Sequence, residues 1–329
     1  MQTLNPFLIL HLLRNFALNL SSRFMPVDQA DIRFSRHPAW LRVRFPGGEN
    51  FHSLKKLVRT NSLHTVCESA NCPNIGECWD KGTATFMILG NTCTRRCGFC
   101  AVHTGRPEGY DRDEPLRVAR AVQVLKLKHA VVTSVDRDDL PDEGSEVFAE
   151  TIRMVRELNP GTNVEVLIPD FKASWENLAR VVNAQPDVLA HNLDTVPRLY
   201  AKVKPKSSYQ HSLNLLRHVK QTAPHIKTKA GLMLGLGEEV GEIDLAMDDI
   251  CSARVDILTI GQYLRPSLKH LPLLKHYHPD EFQELKRIGE GKGIPHVESG
   301  PLVRSSYHAA EQVDELLERS TSKTFPILS

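Results

Sequence analysis

The sequence predicts an α/β chain built as a partial TIM-like barrel of six βα units, flanked by N-terminal and C-terminal extensions. From residue 85 onward, short β-rich runs alternate with longer amphipathic stretches, the mark of repeated βα units around a parallel sheet. Six such units with no doubling of the pattern fall short of a closed eight-stranded barrel, although a doubly wound sheet would read similarly. With 329 residues, 41% of them hydrophobic and 24% charged, the chain is long enough for one substantial core.

Strands are expected at Thr85 to Gly90, Ala130 to Val135, Asn163 to Pro169, Asp187 to Leu193, Lys227 to Leu236 and Asp256 to Tyr263. Between them, Leu116 to Lys128, Ser145 to Leu158, Trp175 to Asn183, His211 to Thr222 and Glu239 to Ala253 carry apolar residues at helical spacing. Pro160, Pro186 and Pro224 punctuate the joins. Either architecture places chemistry at the carboxyl ends of the strands, and Cys93, Asp136, Asp170 and Asp194 all stand there. Gly235 and Gly237 resemble a phosphate-binding glycine loop only superficially, since a turn after a strand accounts for them.

Lysine plus arginine number 41 against 39 acids, and a net charge of +2 gives no reason to expect nucleic acid or a stable membrane association. In residues 1–24 the apolar run from Phe7 to Leu13 is too short to span a bilayer. The charges of Arg14 and Arg23 follow that run, whereas a secretory signal would place them before it. The segment reads as a mitochondrial presequence or as an over-called start with Met25 as initiator.

Six of the seven cysteines fall between Cys67 and Cys100, and Cys251 stands alone in a helical stretch as a small packed residue. Clustered thiols in a chain of this size fit a metal site in a reducing compartment better than a disulfide framework. That compartment is the cytoplasm, or the mitochondrial matrix if residues 1–24 are a presequence. After the first strand, NTCTRRCGFC spaces Cys93, Cys97 and Cys100 by three residues and then two. Three thiolates from one loop can hold three irons of a four-iron cluster and leave the fourth open. Upstream, CESANCPNIGEC separates Cys67, Cys72 and Cys78 by four and then five residues. Zinc, with His103 or His64 as a further ligand, is the alternative for either triplet.

The triplet after a strand resembles the radical S-adenosylmethionine superfamily, in which the open iron chelates the cofactor and an aromatic such as Phe99 packs near its adenine. The first triplet, with GTATFMILGNTC, VVTSVDRDDL, GLMLGLGE, GQYLRP and VRSSYHA, narrows the resemblance to the lipoyl synthase family from about Trp40 to Ala309. The resemblance implies that Cys93, Cys97 and Cys100 hold the radical-generating cluster. It further implies that Cys67, Cys72 and Cys78 hold an auxiliary four-iron cluster whose fourth ligand is a serine of the RSSY motif, taken here as Ser305 in preference to Ser306. The implied segments are an extension at 25–84 with the auxiliary cysteines, the radical barrel at 85–300 and a closing segment at 301–329.

The implied reaction inserts two sulfurs, at carbons six and eight of a protein-bound octanoyl group, drawn from the auxiliary cluster, with two S-adenosylmethionine molecules used per lipoyl formed. Those carbons are unactivated, so acid–base or nucleophilic catalysis cannot open their bonds and a radical is required. The implied partners are octanoylated lipoyl domains of the glycine-cleavage H-protein or of 2-oxoacid dehydrogenase acyltransferase subunits, an electron donor such as flavodoxin or ferredoxin, and a cluster-repair protein. Thr133, Ser134, Asp136, Glu165 and Asn192 are the expected contacts to the cofactor's amino, carboxylate and ribose groups. Asp138 and Asp139 are expected to cap a helix, and Arg95 and Arg96 to support a reduced cluster or bind carboxylate. The chain departs from the family pattern at Glu143, Ala230 and Arg265, where glycine, serine and glutamine are usual. Competing readings are a biotin synthase-like enzyme and a non-catalytic iron–sulfur or zinc scaffold.

Overall fold

The computed structural model describes residues 37–43, 47–81 and 83–322, so the expectations for residues 1–24 and Met25 lie outside the described residues. An N-terminal helix α1 (Glu49–Thr60) turns Phe51, Leu54 and Val58 inward at helical spacing. Phe51 meets the fully buried Trp79 with ring centroids 5.2 Å apart. A two-residue strand β1 (His64–Thr65) leads into α2 (Val66–Ser69) and α3 (Ile75–Asp80), the short helices that carry Cys67 and Cys78. Thr65 starts α2 by accepting the Glu68 N–H at 3.3 Å, satisfying a donor that has no partner within the helix.

The barrel follows as β2 (Thr85–Ile88), α4 (Glu114–Leu125), β3 (His129–Ser134), α5 (Ser145–Leu158), β4 (Asn163–Leu167), α6 (Trp175–Asn183) and β5 (Val188–Ala190). It continues with α7 (Tyr200–Val203), α8 (Tyr209–Thr222), β6 (Lys227–Leu234), α9 (Val240–Ser252), β7 (Ile257–Gln262), α10 (Pro279–Gly291), β8 (His296–Gly300) and α11 (Ala309–Ser322). The sheet order is β1 through β8 without interruption; β1 runs antiparallel to β2 and every later neighbour is parallel. β1 and β8 are the two ends, so the barrel is partial, as expected.

The count of βα units needs correction, because β8 adds a seventh parallel strand. Its sequence, HVESG, has no apolar run to announce it; pairing with β7, from Ile257 opposite His296 to Gly261 opposite Gly300, makes it a strand. One core joins the N-terminal extension to the barrel, with Leu54 and Trp79 in the same apolar cluster as Phe86, Val132 and Ile260. Val313 and Leu316 of α11 pack on Val188 and Ile257, the first residues of β5 and β7, leaving the opposite ends of the strands for chemistry.

Candidate active site

At the carboxyl ends of the strands lies a cavity of about 580 Å³. Cys93, Cys97 and Cys100 line it, and so do Cys67 and Cys72. A smaller recess is walled by Cys67, Cys72 and Cys78 together with Arg304 and Ser306, and it shares four of these five residues with the larger space. The two triplets, which the chain carries on separate segments, therefore edge two adjoining hollows, with Cys67 and Cys72 lining both.

The loop holding the second triplet is closed on itself. The Cys93 N–H donates to the His103 carbonyl at 2.8 Å, and the Gly105 N–H returns to the Cys93 carbonyl at 3.0 Å. From outside, the Gly98 N–H reaches the Val203 carbonyl at 2.9 Å, and the His270 ring meets the Cys100 carbonyl at 3.0 Å. Arg95, inside the loop, is 5% exposed and is surrounded by three carboxylates: Asp138 and Asp170 at 2.8 Å and Asp136 at 3.5 Å. Burial alone would lower its pKa, but the hydrogen bond to Asp138 and the charges of Asp136 and Asp170 outweigh that and raise it. Arg96 is exposed, so the two adjacent arginines have different roles.

The first triplet is tied to the C-terminal motif. Asn74 donates to the Leu302 carbonyl at 2.6 Å, and the Tyr307 hydroxyl donates to Glu77 at 3.3 Å. Gly261 lets this segment cross β7, because a Cβ there would collide with the Val303 carbonyl. Ser306 lines the recess with all three cysteines. Ser305, the serine expected there, lines the main cavity instead, where its hydroxyl accepts from Asn192 Nδ2 at 2.7 Å. The chain turns over residues 305–308, so successive side chains point to different walls.

Among the described residues no three His, Cys, Asp or Glu side chains converge as they would around a single ion. The six thiols instead edge two hollows. Burial pushes the Cys78, Cys93 and Cys97 thiols up to about 12, and raises Cys67, Cys72 and Cys100 as well. Thiols so placed keep their protons until a cation compensates the thiolate, which fits both triplets to a metal cluster. Two residues of the cavity lining, Ser134 and Asn192, each carry a buried polar atom, Oγ and Oδ1, with no protein partner.

All six expected cofactor contacts, Phe99, Thr133, Ser134, Asp136, Glu165 and Asn192, line the cavity. Four of them already have protein partners, Asp136 in Arg95 and Asn192 in Ser305 among them. Thr133 donates to the Leu167 carbonyl at 2.9 Å, while Glu165 takes Lys229 Nζ at 2.9 Å on one oxygen and faces His129 Nε2 at 3.1 Å on the other. Burial would raise the Glu165 pKa, but the Lys229 charge and His129 hold it below the usual carboxylate range. Lys204, which the sequence reading passed over, lines the cavity paired to Asp194 at 2.9 Å. Burial opposes its charge, yet the Asp194 carboxylate holds Lys204 protonated, with its pKa raised.

Other expectations are corrected by the same geometry. Asp138 and Asp139 do not cap α5; they pair with Arg95 and with the buried Arg137, and Asp142 accepts the Glu146 N–H at 3.0 Å in their place. Glu143, where glycine is usual, sits at φ +53° with its carboxylate 3.1 Å from Lys172. Arg265 donates to the Leu268 and His270 carbonyls, bracing the turn that brings His270 to the Cys100 carbonyl. Gly235 is a turn glycine, at φ +111° with the Lys275 carbonyl 2.6 Å from where a Cβ would stand. Cys251 donates to the Lys292 carbonyl at 3.0 Å and takes no part in either hollow.

Residues 87–250 match the family profile of the radical SAM superfamily, and residues 26–72 match that of the N-terminal domain of lipoyl synthase. The chain is 54% identical to a lipoyl synthase of Rubrobacter xylanophilus over 89% of its own length and 91% of the relative's. It is 57% identical to one of Koribacter versatilis, covering 90% and 97%, and 53% identical to a mitochondrial lipoyl synthase of Nematostella vectensis, covering 84% and 94%. Among solved structures, HydG, a maturase of the [FeFe]-hydrogenase, superposes with a TM-score of 0.51 at 12% identity over 85% of this chain and 69% of that one, a likeness of fold alone. With two cysteine triplets on adjoining hollows of a partial barrel and such identity along nearly its whole length, the chain belongs to the lipoyl synthase family of radical S-adenosylmethionine sulfurtransferases.

Proposed function

We propose that this chain inserts sulfur at carbons six and eight of an octanoyl group on a lipoyl domain, with the two cysteine triplets holding two different four-iron clusters. The observation that carries the reading is that Cys93, Cys97 and Cys100 share one cavity with Cys67 and Cys72. Cys93, Cys97 and Cys100 would hold the cluster that binds S-adenosylmethionine, and bound together they supply a 5′-deoxyadenosyl radical able to take hydrogen from an unactivated carbon. Cys67, Cys72 and Cys78 would hold the sulfur donor. Of the Ser305 and Ser306 pair, Ser306 is supported as the fourth ligand because it shares the recess with all three thiols. An alkoxide is a harder and weaker partner for iron than a thiolate, which suits a cluster that gives up its sulfur.

The protein's own groups orient the reactants and exclude water. Lys204 offers a fixed cation to a carboxylate, Ser134 and Asn192 offer unpaired hydrogen-bonding atoms, and Phe99 supplies an apolar wall. The apolar lining contributed by Val131, Leu167 and Leu232 suits an acyl chain. The substrate-bearing partners would be the glycine-cleavage H-protein or a 2-oxoacid dehydrogenase acyltransferase subunit, with flavodoxin or ferredoxin as electron donor and a repair protein to rebuild the donor cluster. Among the described residues no helix is long and apolar enough to cross a membrane; the proposed setting is the cytoplasm, or the mitochondrial matrix should residues 1–24 be a presequence.

The test incubates anaerobically reconstituted protein with a reductant, S-adenosylmethionine and an octanoylated lipoyl domain. Intact mass should rise by two sulfurs less two hydrogens, and an unchanged mass overturns the assignment.

A further inference from the structure

The proposed ligand set leaves Ser305 without a task, although its contact is among the shorter side-chain hydrogen bonds at the cavity. Asn192, just beyond β5, donates Nδ2 to Ser305 Oγ at 2.7 Å, across 113 residues of chain. Asn192 is itself fixed. Its carbonyl accepts Lys204 Nζ at 3.0 Å, and Lys204 is anchored to Asp194. Its side chain lies over Gly231, where a Cβ would stand 2.7 Å from Asn192 Oδ1. That Oδ1 is the atom with no protein partner.

We infer that Ser305 is a positioning residue: held by Asn192, it latches the C-terminal motif to the barrel, directs Ser306 into the auxiliary recess, and makes occupancy of the cofactor cavity felt there. The inference rests on the reading of Ser306 as the auxiliary ligand. One side chain joins the two sites, because its amide N–H holds the motif while Asn192 itself lines the cavity. A ligand that packs on the Asn192 side chain sets the amide plane, and with it the direction of the N–H that Ser305 accepts. Ser305 and Ser306 are adjacent, so a shift of one moves the other. Asn74 to Leu302, Tyr307 to Glu77 and His308 to Glu77 tie the segment to the auxiliary side, whereas Ser305 ties it to Asn192 on the barrel.

The test uses full-length reconstituted protein and S-adenosylhomocysteine as a probe that fills the cofactor site without being cleaved. In the parent protein the probe should shift the auxiliary-cluster EPR signal. Asn192→Ala and Ser305→Ala should each keep auxiliary iron yet lose that shift, Ser305→Thr should retain it, and the double variant should match either single one, since both remove the same contact. Sulfur transfer per S-adenosylmethionine cleaved should fall about tenfold, the effect of about 1.4 kcal/mol. Loss of auxiliary iron in Ser305→Ala, a shift that persists in it, or no shift in the parent overturns the inference. Ser306→Ala separates the failures. An auxiliary-cluster EPR signal in Ser306→Ala identical to the parent's defeats the ligand reading and this inference with it, whereas an altered signal there, alongside a Ser305→Ala protein that still answers the probe, defeats the latch alone.

Discussion

Arg95 Nη1 stands 2.8 Å from Asp170 Oδ1, with both side chains 5% exposed, so the loop between Cys93 and Cys97 is fixed to the end of β4 by a buried ion pair. The same guanidinium serves Asp138 and Asp136. Removing it leaves three acids facing one another in low dielectric. Arg95→Ala should lower stability by about 3–5 kcal/mol, read from urea unfolding, and should reduce iron at the Cys93 site. Arg95→Lys keeps the charge but not the fork of donors, so it should recover stability only in part. A parent-like midpoint for Arg95→Ala would show that the loop is held by its backbone bonds alone.

Lys229 and Glu165 form a second buried pair, 2.9 Å apart and at most 1% exposed, across the barrel interior. Lys229→Met should cost about 3–5 kcal/mol because a carboxylate is left without its cation. The double variant Lys229→Met, Glu165→Leu should recover much of that, since it strands no charge. Equal midpoints for the single and double variants would refute the pairing argument.

The two triplets should separate by substitution. Cys97→Ala is expected to abolish S-adenosylmethionine cleavage, whereas Cys72→Ala should spare cleavage and abolish sulfur transfer, as read by 5′-deoxyadenosine and lipoyl product in the same reaction. Lipoyl product from Cys72→Ala would overturn the donor assignment.

His191 carries a pH dependence. Burial first, then the Lys204 charge, depress its pKa to about 3, and its ring lies 2.9 Å from both the Ile168 carbonyl and the Ser212 hydroxyl. The folded chain thus keeps the ring neutral down to about pH 3, while the unfolded chain protonates it near the ordinary histidine value of 6.5. Below the latter pH the unfolded state binds the additional proton, so stability falls as pH falls, and it is fully present above it. From pH 7.5 to 5.5 the loss from this group should be about 1 kcal/mol. His191→Gln should lose less over that interval in urea unfolding, and a parallel loss in both proteins would rule the group out.

Much of the barrel is legible in the sequence because its strands between residues 85 and 262 are apolar runs whose propensity and burial agree. Runs such as His129–Ser134 and Asn163–Leu167 are strands by pattern and strands in space. β8 was not legible, since a polar segment becomes a strand only when β7 offers its edge. The buried ions were half legible. Lys229 within an apolar strand and Glu165 within another each signal a partner, but nothing in the order of residues says that they meet.

The sequence by itself determined the chemistry: cysteine spacing is local, and a loop of eight residues from Cys93 to Cys100 can present three thiols whatever surrounds it. Only the tertiary structure decided which groups complete each site. It buried Arg95 and left Arg96 in solvent, occupied Thr133 and Glu165 with protein partners, and added Lys204 to the cavity wall. It also set Ser306 in the recess lined by Cys67, Cys72 and Cys78 and joined Ser305 to Asn192. These outcomes depend on contacts between segments far apart in the chain, where burial and charge pairing, not local pattern, set the free energy.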